Sequence, residues 1–153
     1  MDALMERMRL ANFADLYARR RSGLLRGLMF LHMKAGLESE VIPLSFSQQW
    51  DNAAPLPRTP SGVRREFQTA LSELRTDLDA FSPYESSALM ACGYMMAARA
   101  LDDQLPELRD AWSGVPHDGW PFKDMLELIT SGGGGSVHDA VLTVLRDGKK
   151  VKV

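Results

Sequence analysis

Residues 82–85 read Ser-Pro-Tyr-Glu, and this short run constrains the fold more than any other part of the chain. Ser82 can cap the free N–H groups of a helix. Pro83 fits the first helical position, where its missing N–H costs nothing, and Glu85 at the third position closes a capping box. Beyond it, Leu89-Met90-Ala91-Cys92-Gly93-Tyr94-Met95-Met96-Ala97-Ala98 is apolar almost all round, which predicts a deeply buried helix reaching about Asp102. Gly93 inside that helix costs roughly 1 kcal/mol relative to alanine, so another backbone is expected to approach it closely. Upstream, Val63, Phe67, Leu71, Leu74, Leu78 and Phe81 recur at spacings of 4, 4, 3, 4 and 3, with Arg64, Arg65, Glu66, Glu73 and Arg75 off the stripe. This is the pattern of an amphipathic helix with one buried face. The fold class is therefore mainly α, a compact helical assembly.

The remaining segments fit around these two. Leu4, Met5, Met8, Ala11 and Leu16 predict a helix over 2–21, and Arg19-Arg20-Arg21-Ser22-Gly23 suits its end. A second helix is expected through Leu24–Lys34, closing at Gly36. Val41-Ile42-Pro43-Leu44-Ser45-Phe46 reads as a short extended segment in which Pro43 disfavours a central strand. Pro55, Pro57, Pro60 and Gly62 make 47–62 a loop. Short helices are expected around Pro106–Trp112 and from Pro121, the latter lined by Phe122, Met125, Leu126 and Ile129 and ended by Ser131-Gly132.

Gly132-Gly133-Gly134-Gly135-Ser136 reads either as a natural flexible loop or as the joining unit used in engineered fusions. The expected organisation is thus 1–131, a glycine-rich linker at 132–136, and a short C-terminal segment at 137–153. For that segment two readings stay open. Ser136 as cap and Gly148 as terminator allow a helix through Val137, Ala140, Val141, Val144 and Leu145. The β-branched Val141–Leu145 run, Asp147-Gly148 and alternating Lys150-Val151-Lys152-Val153 favour a β-hairpin slightly.

Composition narrows the class without naming a function. Of 153 residues, 45% are hydrophobic and 25% charged, the balance of a folded domain rather than a disordered chain. Charge sums to −2, with +3 on 1–76 and −5 on 77–153, so no global basic field points to nucleic acid, and no nucleic-acid partner is expected. The most apolar early stretch, Gly23–Met33, is broken by Arg26 and is too short for a membrane span, which takes about 20 apolar residues. The N-terminus lacks the basic start and h-region of a signal peptide. A cytoplasmic protein is expected, with peripheral membrane association as an added reading.

Candidates for chemistry are few. Cys92 is the one cysteine, so it forms no intrachain disulfide, and its place in the apolar helix opposes thiolate formation. Cysteine catalysis would need it beside His32, His117 or His138. Those histidines show no metal-ligand spacing, and no cofactor or metal is expected. Asp77 and Asp79 diverge on a helix, and His117-Asp118 reads as part of a loop. No Gly-x-Ser-x-Gly is present, so no catalytic residue is assigned. Arg19, Arg20, Arg21 and Arg26, interleaved with Leu28, Phe30 and neighbouring apolar residues, are the candidate surface for anionic lipid or a protein partner.

Leu74-Arg75-Thr76-Asp77-Leu78-Asp79-Ala80-Phe81-Ser82-Pro83-Tyr84-Glu85, followed by Leu89-Met90-Ala91-Cys92-Gly93-Tyr94, resembles the C-terminal part of bacterial patatin-like phospholipases. The similarity covers about residues 71–103. It implies an α/β fold for the whole family protein and lipid acyl hydrolysis by a Ser–Asp dyad. None of the dyad's motifs occurs here: Asp118-Gly119 and Asp147-Gly148 are followed by Trp120 and Lys149, and no serine elbow precedes them. What the resemblance implies for this chain is a non-catalytic C-terminal scaffold region of such a hydrolase. The alternative is a helical protein–protein interaction module. Either one is expected to pair with a protein partner or a second copy of itself, because Met90, Tyr94, Met95, Met96 and Leu101 supply much apolar surface. The run Thr143–Lys149 is also similar to the closing strand of bacterial PDZ domains, over the end of such a domain only.

Overall fold

The structure is a computed structural model that describes residues 2–29, 31–37, 57–74, 81–105 and 119–149. Among these the chain is mainly helical, with α1 (Asp2–Arg21), α2 (Arg65–Ser72), α3 (Pro83–Gln104), α4 (Lys123–Thr130) and α5 (Ser136–Asp147). The expected extended segment at 41–46, the helix near Pro106–Trp112 and the tail 150–153 lie outside the described residues. The chain divides into two compact units, Met1–Phe30 with Ala100–Gly114, and Leu31–Arg99 with Val115–Val153. No helix of the described residues is long and apolar enough to cross a membrane.

In the first unit, α1 ends where the arginine cluster and glycine predict. Ser22 N–H donates to Ala18 O (2.9 Å), Gly23 N–H to Arg20 O (3.2 Å), and Gly23 takes the left-handed φ of 78°. The helix expected through Leu24–Lys34 does not form. Residues 22–26 are turn and bend, and 27–29 and 31–32 are irregular. Gly23 and Gly27 are poor helix formers, and Gly27 sits so close to the Leu105 side chain that no Cβ fits there.

The second unit holds the large core: Val63, Phe67, Ala70, Leu71, Leu74, Ala88, Ala91, Cys92, Met96, Met125, Ile129, Val141, Leu142 and Leu145. A tight turn leads into it. Gly62 N–H donates to Thr59 O and Thr59 N–H to Val63 O, both at 2.8 Å, and Gly62 supplies the positive φ that the closure needs. The stripe read from Val63 is correct through Val63, Phe67, Leu71 and Leu74, all buried. It fails at Phe81, which is 43% exposed, because α2 stops at Ser72 and the stripe's helical register stops with it.

The capping box before α3 is formed from both sides. Ser82 N–H donates to Glu85 Oε2 at 2.7 Å, and Glu85 N–H donates to Ser82 Oγ at 3.3 Å. Burial of this helix is one-sided: Ala88, Ala91, Cys92 and Met96 face the core, while Tyr84 and Met90 are about half exposed. Among the described residues no atom lies within 4 Å of where a Cβ on Gly93 would stand, so they do not supply the expected close approach. In α4, Met125 and Ile129 are buried as their spacing predicts.

The C-terminal hairpin expectation is corrected. Residues 136–147 form α5, with His138, Val141, Leu142 and Leu145 buried along one stripe. A strand would have put Val141 and Leu142 on opposite faces; here both enter the core and Thr143 faces solvent. The β-branched residues lose only a few tenths of a kcal/mol per position as helix, which burial on α2 outweighs. The Thr143–Asp147 part of the run compared with a closing strand is therefore helical.

Candidate functional site

A connected polar arrangement lies where α5 packs on α2. His138 is buried, and its ring stands edge-on to Phe67 with centroids 4.9 Å apart. Each ring nitrogen meets a carboxylate from a different helix: Nε2 lies 3.1 Å from Glu66 Oε1, and Nδ1 lies 3.0 Å from Asp139 Oδ1. Arg64, the residue before α2, pairs through Nη2 with the same Glu66 oxygen. Its Nη1 donates to Gly133 O at 2.9 Å, holding the glycine run to the start of α2. One cation, one imidazole and two carboxylates thus form a continuous chain across the helix pair. Each local step follows from sequence: Glu66 is in the first turn of α2, where the dipole favours a carboxylate, and His138 opens the buried stripe of α5.

Beside this chain runs an open groove of about 340 Å³ lined by Glu66, Thr69, Ala70, Glu73, Arg146, Asp147 and Lys149. Lys149 Nζ bridges to Glu73 Oε2 at 3.1 Å. Charges of both signs line the groove, and the polar chain acts by tying α5 to α2. The imidazole is buried, whereas the Asp139 carboxylate is largely exposed and that of Glu66 partly so, which leaves the Glu66 contact the less screened of the two.

Nucleophile chemistry finds no support in these contacts. Cys92 is fully buried, and desolvation pushes its thiol up to about 12. Its hydrogen-bond partners are the Met33 and Met96 sulfurs rather than a histidine. Several of the described serines serve local structure. Ser22 Oγ donates to Arg19 O and Ser131 Oγ to Leu128 O, while Ser61 Oγ pairs with Thr59 Oγ1. Ser82 caps α3, and Ser136 opens α5. His117, Asp118, Asp77 and Asp79 lie outside the described residues. Among the described residues no group of three His, Cys, Asp or Glu side chains is placed to hold a metal ion.

The predicted arginine surface lies at the end of α1 and in the turn that follows it. Arg19 pairs with Asp15 one turn back at 2.7 Å, Arg20 is half-buried, and Arg21 and Arg26 are exposed. Leu28 is half-buried, and Phe30 lies outside the described residues. Leu24, between the arginines, is the most exposed large apolar residue described, at 78%. Sequence reasoning missed the Glu66–His138 pair, which is 72 residues apart and leaves no local signal. Comparison of the chain with protein-family models, with curated proteins and with solved structures found no match.

Proposed function

We propose that this chain is a non-catalytic C-terminal scaffold region of a patatin-like lipid acyl hydrolase. The observation that carries the reading is the run from Leu74 to Tyr94, which resembles that family and whose Ser82-Pro83-Tyr84-Glu85 segment is built as a reciprocal cap. In this role α3 supplies a rigid apolar wall, and the nucleophile belongs to a preceding α/β part. The Arg19–Arg26 stretch with exposed Leu24 adds charge and apolar area suited to an anionic lipid surface. The test is a fluorogenic ester assay on the chain alone and after joining it to the upstream reading frame, beside co-sedimentation with anionic liposomes. The reading expects no turnover from the chain alone, and turnover with a Gly-x-Ser-x-Gly upstream part. Turnover by the chain alone that one Ser→Ala change abolishes would overturn it.

A second reading, a helical protein–protein interaction module without enzymatic role, is favoured by Phe81, Tyr84 and Met90, exposed at the start of α3 by 43%, 55% and 47%. A protein partner or second copy would cover them. Sedimentation of the chain over a wide concentration range shows whether a second copy covers them, and turnover on joining an upstream Gly-x-Ser-x-Gly part separates the readings, because the module has no enzymatic role.

A further inference from the structure

The core of the second unit holds the chain's only thiol and sets two thioethers against it. Cys92 and Met96, one turn apart on α3, share a face, with Cys92 Sγ 3.9 Å from Met96 Sδ. Met33, 59 residues earlier in sequence, brings its Sδ to 3.7 Å from Cys92 Sγ. The turn that carries Met33 is fixed from below. Gln68, fully buried on α2, donates through Nε2 to Met33 O at 2.9 Å and to Ala35 O at 2.7 Å. Arg65 Nη1 adds a bond to Gly36 O at 3.2 Å. A buried amide thus holds the backbone at and just after the residue that carries one sulfur, while a helix holds the other two.

We propose that Cys92, Met33 and Met96 form a binding site for a soft monovalent metal ion of the Cu(I) class. A metal–sulfur bond of about 2.3 Å places two ligand sulfurs about 3.8–4.0 Å apart at tetrahedral to trigonal angles. The separations from Cys92 Sγ, 3.7 Å to Met33 and 3.9 Å to Met96, lie at or within about 0.1 Å of that spacing, so each thioether can share an ion with the thiolate after small shifts of flexible methionine ends. Thiolate with thioether is the donor set that selects Cu(I) over hard cations. Charge makes the same choice. On binding, the Cys92 S–H bond breaks, its proton leaves to solvent and an Sγ–metal bond forms, while each thioether contributes a lone pair and loses nothing. A monovalent ion replaces one proton with no change in buried charge. A divalent ion would leave an uncompensated positive charge in an apolar core. Met33, half-buried where Cys92 and Met96 are buried, gives the route of entry.

The test titrates the full chain with Ag(I), which is redox-inert, and with Cu(I) under anaerobic reducing conditions against a chromophoric chelator. One ion per chain is expected. Cys92→Ser should abolish binding, and Met33→Leu and Met96→Leu, which keep the volume of the core, should each weaken it by about tenfold or more. Because one thiol proton is displaced, affinity should rise about tenfold per pH unit between pH 6 and 8. Far-UV circular dichroism and denaturant midpoints establish that each variant is folded; if Cys92→Ser is not, the two leucine variants decide the matter. Affinity unchanged in both leucine variants would reduce the site to an ordinary thiol and overturn the proposal, as would the absence of stoichiometric binding.

Discussion

Replacing Cys92 by alanine should cost stability at neutral pH and cost progressively less as the pH becomes alkaline. At pH 7 the thiol is protonated and fills the core, so removing its sulfur costs roughly 1–2 kcal/mol, as deletion of a similar buried group does. The thiol's ordinary value is 9.0, and burial raises it to about 12 in the folded chain. Above pH 9 the unfolded chain therefore loses this proton while the folded chain keeps it. The folded state then binds more protons than the unfolded state, so stability falls as pH rises, by about 1.4 kcal/mol per pH unit. Over the interval from the ordinary value to pH 10.5 the loss is about 2 kcal/mol. Cys92→Ala lacks that loss, and every other titratable group is common to the two proteins. Urea midpoints of the pair, measured with reductant at pH 7.5, 8.5, 9.5 and 10.5, should show the wild-type advantage shrinking and vanishing near the top of the range. A gap that stays constant through pH 10.5 would refute the argument, because it would mean that the folded thiol ionises as readily as the unfolded one.

Three further outcomes follow from packing. In the cap of α3 the Ser82 N–H bond to the Glu85 carboxylate is the shorter of the two, so Glu85→Ala should cost about 1–2 kcal/mol and Ser82→Ala about 0.5–1 kcal/mol, read from denaturant midpoints. Two glycines should respond with opposite sign: Gly93→Ala, in open space within α3, should stabilise by about 0.5–1 kcal/mol, as replacing a mid-helix glycine does. Gly148→Ala would drive a methyl into the Glu85 carboxylate and to 2.6 Å from Leu74 Cδ2, and should destabilise by about 1–3 kcal/mol, both read from denaturant midpoints. Leu145→Ala, at 0% exposure on α5, should cost about 2–5 kcal/mol and weaken amide-exchange protection in α2 as well as α5.

Local chemistry was legible wherever one segment carries the whole signal. The Ser82–Glu85 box, the α1 terminus at Gly23 and the Met125–Ile129 face of α4 depend on residues within a turn or two of one another, and the sequence states them completely. The same reasoning failed at Leu24–Lys34, where helix-like apolar content competes with Gly23 and Gly27 and with Leu105 far along the chain. It also failed at 137–147, where β-branched composition and helical spacing point in opposite directions. Only docking on α2 breaks that tie, since burial of Val141, Leu142 and Leu145 rewards the helical face and not the alternating one.

By itself, then, the sequence determined the helical class, the cap of α3, the buried faces of α2 and α4, and the basic-apolar stretch ending α1. Each depends on spacing along the chain, which short-range sterics and hydrogen bonding convert directly into structure. The tertiary structure alone decided that α5 is a helix, that His138 bridges Glu66 and Asp139, and that Met33 reaches Cys92. Those outcomes join residues as far as 72 positions apart, as in Glu66–His138, and a contact of that kind exists only once hydrophobic burial has folded the intervening chain.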